Sequence, residues 1–304
     1  MHWLSIETWI ISLLAIAYLA LLVVVAYWGQ KKQQQGLANK PWIYSLALGV
    51  SCTSWAFYGI IGNASSTGYW LSPIYIGTIA SFIFAWPVML KMLRVSKQQN
   101  LTSLADFIAT RYDRAPQIAA VVSTIAIIGT VPYISLQLRA ISQTFDLVTG
   151  SYQSGISTTF AVTIALILFS IFFGARNIAV NKQNQGLLIA IAFSSVVKLF
   201  AITAAGIFVT FFLFDGFGDL ISQRDVLPVT NENTPNALNY EMFAHILLGA
   251  ITIFVTPQLF HMIVIENHNE QQFRKARWQY PLYLILINIF VLPLAIAGQL
   301  TFPG

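Results

Sequence analysis

Charge is what this sequence has least of. Of its 304 residues only 9% are Asp, Glu, Lys or Arg, whereas 57% are hydrophobic; an ordinary soluble domain carries about 25% charged residues. So few charges cannot cover a water-facing surface, which excludes a soluble enzyme, a disordered tail and a nucleic-acid-binding module. Cysteine is nearly absent as well. Cys52 stands alone, so no intrachain disulfide can form, and its apolar neighbours make it a small packing residue. The four histidines, His2, His245, His261 and His268, lack zinc-ligand spacing. His261 and Glu266 are five apart, which does not put them on one face of an α-helix. Neither a Gly-x-Gly-x-x-Gly run nor a Walker sequence occurs. All eleven acids fall in loops or at the ends of apolar runs. With none at mid-depth, a proton relay built on buried carboxylates is excluded.

What the sequence does have is long apolar runs. A membrane-spanning helix needs about 20 apolar residues, and runs near 5–28, 42–62, 72–93, 116–140, 156–175, 186–214, 241–265 and 279–300 predict eight spans. The first is too long for a removable signal peptide and lacks a small-residue cleavage site. Lys31, Lys32 and Lys40 follow span 1, and Lys91, Arg94, Lys97, Arg111 and Arg114 follow span 3. Arg176 and Lys182 follow span 5, and Arg274, Lys275 and Arg277 follow span 7. Only Arg139, Lys198 and Arg224 lie elsewhere, Arg224 in a loop on the opposite side. The positive-inside rule then puts the N-terminus and Gly304 outside, and assigns the net charge of +5 to cytoplasmic loops. In 101–112, Leu104, Phe107, Ile108 and Tyr112 share a helical face and Ser103 with Asp106 forms a capping box. A short amphipathic helix at the cytoplasmic surface is expected there. The stretch 215–240, with Pro228, Pro235 and several Asn, reads as an irregular external loop.

Two spans are built to break. Span 2 reads GVSCTSWAFYGIIG, with Ser51, Thr53 and Ser54 among Gly49, Gly59 and Gly62. Span 7 reads ITIFVTPQLFH, with Thr252, Thr256, Pro257 and Gln258 at mid-depth. Such interruptions free backbone carbonyls that protein, water or an ion must satisfy. When they recur in corresponding halves they point to a transporter site at the midplane. Spans 2 and 7 are five apart, which suggests a five-plus-five inverted repeat behind one extra leading helix. Close packing through small residues explains the same composition without a site.

The run LTSLADFIATRY resembles the acidic helix motif ending in Arg-Tyr of the sodium:solute symporter family. VSCTSWAFYGIIGNASSTGYW resembles that family's unwound first core helix, and VPYISLQLRAIS its third. More specifically, residues 257–298, PWIYSLALGVSCTSWAFYG and SSVVKLFA are similar to the symporter-like membrane half of bacterial sensor histidine kinases. The resemblance runs along the whole chain. It implies an all-α polytopic membrane protein with an inverted-repeat, LeuT-like fold: an extra helix at 5–28, a first five-helix repeat at 42–214, and the first two helices of a second repeat at 241–300. Residues 1–304 are thus expected to form one symporter-like domain in the bacterial cytoplasmic membrane, cut after about eight of thirteen helices.

The same resemblance implies a sodium half-site on the backbone carbonyls of Gly49 and Cys52, with Na+ as the one candidate cofactor. The hydroxyls of the other half belong to a ninth span. Proline-carrying relatives have an acid near position 51, where this chain has Ser51, which weakens tight sodium coupling. The candidate solute contacts are Ser51, Thr53, Ser54, Gln137, Lys198, Thr256 and Gln258. Lys198, about 18 Å along span 6 from its inner end, costs roughly 2.5–3.5 kcal/mol there on insertion scales. It should therefore face the bundle interior, on a substrate carboxylate or on freed carbonyls. Kinase-fused relatives carry an acid four positions earlier, where this chain has Ser194. Arg139 is expected to snorkel as a structural residue.

The chain carries no phosphoacceptor-histidine or ATP-binding region, so it is no enzyme by itself. The expected function is a sensory module that binds or transports a small solute, an amino acid or short carboxylate. A kinase and a response regulator would be its downstream partners, lipid its surroundings, and nucleic acid no partner. The alternatives are a stand-alone sodium:solute symporter and a non-transporting truncated product.

Overall fold

A computed structural model describes residues 8–31, 37–150, 155–173, 185–224, 235–267 and 269–302. His2, Lys32, Arg176, Lys182, Asp225, Pro228, Glu232, His268 and Gly304 lie outside the described residues. Within them the chain is helical and has no strand. Helix α1 is Thr8–Lys31, α2 Pro41–Ala47, α3 Tyr58–Thr67, α4 Pro73–Phe84, α5 Trp86–Gln98, α6 Leu104–Thr110 and α7 Pro116–Thr149. Then follow α8 Gly155–Phe173, α9 Gln185–Phe208, α10 Phe217–Arg224, α11 Pro235–Val255, α12 Pro257–Phe260, α13 Glu270–Asn288 and α14 Val291–Thr301. Among the described residues four stretches are long and apolar enough to cross a bilayer: Trp9–Lys31, Pro116–Thr149, Gln185–Leu213 and Glu270–Thr301. Counting each bent pair as one span raises the number to seven. Helix α8, apolar over Thr159–Leu168, stands where the fifth of the eight expected spans was placed. The protein is an all-α polytopic membrane protein.

Both expected interruptions are present. The path from α2 to α3 passes through short 3-10 turns at Leu48–Ser51 and Ser54–Ala56 and bends by 87°. Between the turns Cys52 (ψ 87°) and Thr53 (ψ −163°) leave helical geometry. The path from α11 to α12 bends by 53° at Thr256, whose ψ is 124°. Pro257 follows it, and proline disfavours α geometry in the residue before.

A third break falls where an unbroken span 3 was expected. Helices α4 and α5 meet at 70° around Ala85. Pro87 has no N–H for the carbonyl four residues back, at Ile83, and Arg277 of α13 donates to that carbonyl instead, at 2.8 Å. Helix α7 runs nine residues past the expected end at 140, until Gly150 (φ 68°) caps it in left-handed geometry. The irregular loop expected at 215–240 is also corrected. It holds α10, whose Leu220 is buried beside Ile296 and Ala297 of α14, and α11 already begins at Pro235.

Packing is close because the contacts are small. Helices α4 and α11 cross where a Cβ on Gly77 would lie 1.9 Å from the Ile246 carbonyl oxygen, and one on Gly249 2.0 Å from that of Ile74. Thr78 and Ser81 hydroxyls donate across this crossing to the carbonyls of Gly249 (3.2 Å) and Ala250 (2.8 Å). Backbone approach of this kind is how helices associate where lipid offers no hydrophobic drive. Helix α2 lies between α9 and α13, and α1 lies against α9. At the basic end, Arg94 pairs bidentately with Glu270 (2.7 and 2.8 Å), and Lys97 binds the backbone and side chain of Asn267. The short helix expected in 101–112 is α6, with Leu104 and Phe107 packed on the core, but Tyr112 lies past its end and is exposed rather than on its apolar face. The Ser103 hydroxyl accepts the Asp106 N–H at 3.0 Å, and Thr102 donates to the Asp106 carboxylate at 2.8 Å.

Candidate functional site

The two main breaks meet at one cavity of about 520 Å3. Ser51, Thr53 and Trp55 line it from the first break, and Thr252 and Val255–Leu259 from the second. Helix α4 contributes Ile74, Tyr75 and Thr78, α7 contributes Ile125 through Tyr133 at one face, and α13 contributes Tyr280. No lining side chain carries a formal charge. Hydroxyls, phenols and the Gln258 amide supply the polar groups, and apolar side chains supply the rest.

A set of side chains from other helices holds the first break open. The Ser51 and Tyr280 hydroxyls are 2.5 Å apart. The Tyr133 hydroxyl reaches Thr53 Oγ1 at 3.3 Å, and the Tyr75 hydroxyl donates to Cys52 Sγ at 3.6 Å. The Ser54 hydroxyl donates to Gln137 Oε1. Further along α3, Thr144 Oγ1 donates to the Tyr58 hydroxyl at 2.6 Å. On the other side, Lys198 of α9 donates from Nζ to the Cys52 carbonyl at 2.8 Å.

The expected site residues therefore fall into three groups. Ser51, Thr53, Thr256 and Gln258 line the cavity. Ser54 and Gln137 bond to one another beside it. Gly49, Cys52 and Lys198 form the layer behind it. There the Gly49 carbonyl accepts the Cys52 N–H at 3.0 Å, the Ser51 carbonyl accepts the Thr53 N–H at 3.2 Å, and the Leu48 carbonyl accepts the Ser51 hydroxyl at 3.2 Å. Lys198 thus faces the bundle interior, on a freed carbonyl. Arg139 is exposed.

Reading from the sequence missed Tyr75, Tyr133 and Tyr280. A signal was available for Tyr133 alone, because tyrosine in membrane proteins favours the bilayer interfaces and Tyr133 sits well inside the run 116–140, whereas Tyr75 and Tyr280 stand near the starts of theirs. It also misjudged His261 and Glu266. Residues His261–Ile265 form a π-helix in which Glu266 N–H bonds to the His261 carbonyl at 3.1 Å. That winding brings residues five apart onto one face, and the imidazole meets the carboxylate at 3.3 Å. Nearby, the buried Tyr44 hydroxyl donates to the Met262 carbonyl at 3.2 Å and ties α2 to this segment.

The chain is similar to transporters. Over 267 residues, 86% of its length, it is 25% identical to the uncharacterized symporter YhjB of Bacillus subtilis, of which it covers 51%. Over 123 residues, 40% of its length, it is 27% identical to the uncharacterized symporter YodF of the same organism, covering 23% of that protein. It spans about half the length of YhjB. No protein-family profile matches the chain, and no solved structure does. The apolar helices and these similarities together support a transporter-like role in a membrane.

Proposed function

We propose that this chain is the solute-binding core of a symporter-like protein, and that the cavity between its two broken helices holds the solute. One observation carries the reading: two interruptions five spans apart in sequence line the same cavity, the first through Ser51 and Thr53 and the second through Thr256. Packing supports a two-fold internal repeat. Helices α2 and α3 pack on α13 and α14, while α11 and the segment after it pack on α4 and α5. Exchanging the first and sixth core helices, and the second and seventh, turns one set of contacts into the other.

The chemistry favours an amino acid or a short carboxylate. Pro257, Gln258 and Leu259, which open α12, stand in the cavity wall. Of these, Pro257 has no N–H, and the Gln258 side-chain amide is a donor that an anionic group of the solute can meet in that wall. The size of the cavity suits a small molecule rather than a polymer, and its phenols and indole offer apolar contact to the remainder of the solute.

The basic loops support placement in a bacterial cytoplasmic membrane with the N-terminus outside. A finer reading makes this chain the sensory membrane part of a histidine kinase. It is supported by the resemblance of residues 257–298, and a kinase region with its response regulator would then be the partners. The symporter relatives favour transport instead. Uptake of labelled amino acids and acetate into vesicles bearing the full-length protein tests the transport reading. Accumulation of at least one solute over protein-free vesicles is expected, and no accumulation of any would count against it.

A further inference from the structure

Lys198 brings a charge to a part of the molecule that otherwise has none among the described residues. Its Nζ lies 2.8 Å from the Cys52 carbonyl oxygen, and it makes no salt bridge among the described residues. The other titratable groups packed around the break are the Cys52 thiol, the Tyr75 phenol of α4, the Tyr133 phenol of α7, and the Tyr280 and Tyr283 phenols of α13. None carries a formal charge at neutral pH. Helix α9 is held against the turn by more than the lysine. A Cβ on Gly49 would lie 2.5 Å from Ser195 Oγ, and the Tyr283 hydroxyl donates to the Ser195 carbonyl at 3.3 Å. The lysine is therefore delivered to the carbonyl end of a broken helix, where partial negative charge collects.

A coupling sodium ion, the expected occupant of the Gly49 and Cys52 carbonyls, does not fit this arrangement. Each carbonyl accepts one donor and keeps a second lone pair, so it is the charge of the ammonium that decides. A second cation on the Cys52 oxygen would sit about 4 Å from the ammonium, and at an effective dielectric of ~20 that repulsion weakens its binding roughly a thousandfold. We propose that Lys198 is the resident cation of this break: its tethered ammonium takes the place of the coupling sodium ion, so solute handling by this protein does not use sodium at Gly49 and Cys52. The consequence for transport rests on the transporter reading above; the seat of the ammonium does not.

Cys52 supplies the readout, since it is the residue the lysine holds. Alkylation of the full-length protein by N-ethylmaleimide is followed by mass spectrometry of the Cys52 peptide, in sodium chloride and in choline chloride at one pH. Wild type should label at the same rate in both salts. Lys198→Met should label on the order of tenfold faster, because a charge-assisted hydrogen bond that holds the Cys52 backbone in place is gone. Lys198→Arg, which keeps a charge, should retain part of the protection. Saturable protection of wild-type Cys52 by sodium would overturn the proposal. So would labelling of Lys198→Met at the wild-type rate, or equal acceleration in the Met and Arg variants. No solute enters this assay, so a failure of uptake counts against the transporter reading alone.

Discussion

Asp106 shows how much one side chain can be read forward from sequence. Its place follows from Ser103 three positions earlier, whose hydroxyl accepts the Asp106 N–H while the Asp106 carboxyl accepts hydrogen bonds from Thr102 and Ser103. Partial burial works against its charged form, but the hydrogen bonds from Thr102 and Ser103, side chain and backbone, outweigh it and hold the carboxyl below its ordinary value. A carboxylate lowered in the folded state stabilises above its unfolded value, about 3.9, and that stability is lost as pH falls through the lower folded value. Hydrogen exchange of the α6 amides, corrected for intrinsic rates, should therefore lose protection as pH drops below about 4. Asp106→Asn should begin less protected at pH 7 and change less. An identical pH profile in both would refute the role. His261 and Glu266 could not be read forward in the same way. Their pairing needs a π-helix, and nothing in HMIVI announces one.

At the level of elements, interruptions were legible where glycine, proline and hydroxyls clustered together, as in span 2 and span 7. The break at Ala85 was not, although Pro87 marks it, because the residues around it are apolar and read as one continuous span. What makes that break tolerable is Arg277, 194 residues away in the chain, and a pairing so distant leaves no local trace. The extension of α7 was hidden differently: Gln143, Thr144 and Asp146 look like a loop by polarity, yet they continue the helix to Gly150. Contacts between elements were equally silent. Gly249 sits against the Ile74 carbonyl with no room for a Cβ, whereas Gly62 has nothing within 4 Å of its own. Gly249→Leu should therefore abolish a monodisperse, heat-stable protein, and Gly62→Ala should shift the melting temperature little. Size-exclusion profiles and thermal unfolding of the two would check it, and a well-folded Gly249→Leu would contradict the described crossing of α4 and α11.

For the whole molecule, the low charge content and the length of the apolar runs were enough to fix the class, an all-α protein of the membrane. The candidate site was half legible. Ser51, Thr53, Thr256 and Gln258 were named from the two breaks and line one cavity, but its walls from α4, α7 and α13 depend on how distant spans come together. Those walls make the central claim testable. Gly129 lines the cavity and has open space around it, so Gly129→Phe should fill the cavity and leave the packing elsewhere intact. A solute that binds the folded state alone raises the melting temperature by mass action. The most direct measurement is thus thermal unfolding of wild type and Gly129→Phe against a panel of amino acids and short carboxylates. The account predicts that at least one member stabilises wild type in a dose-dependent way while leaving Gly129→Phe unmoved. Equal stabilisation of both proteins, or none of wild type by any member, would contradict it.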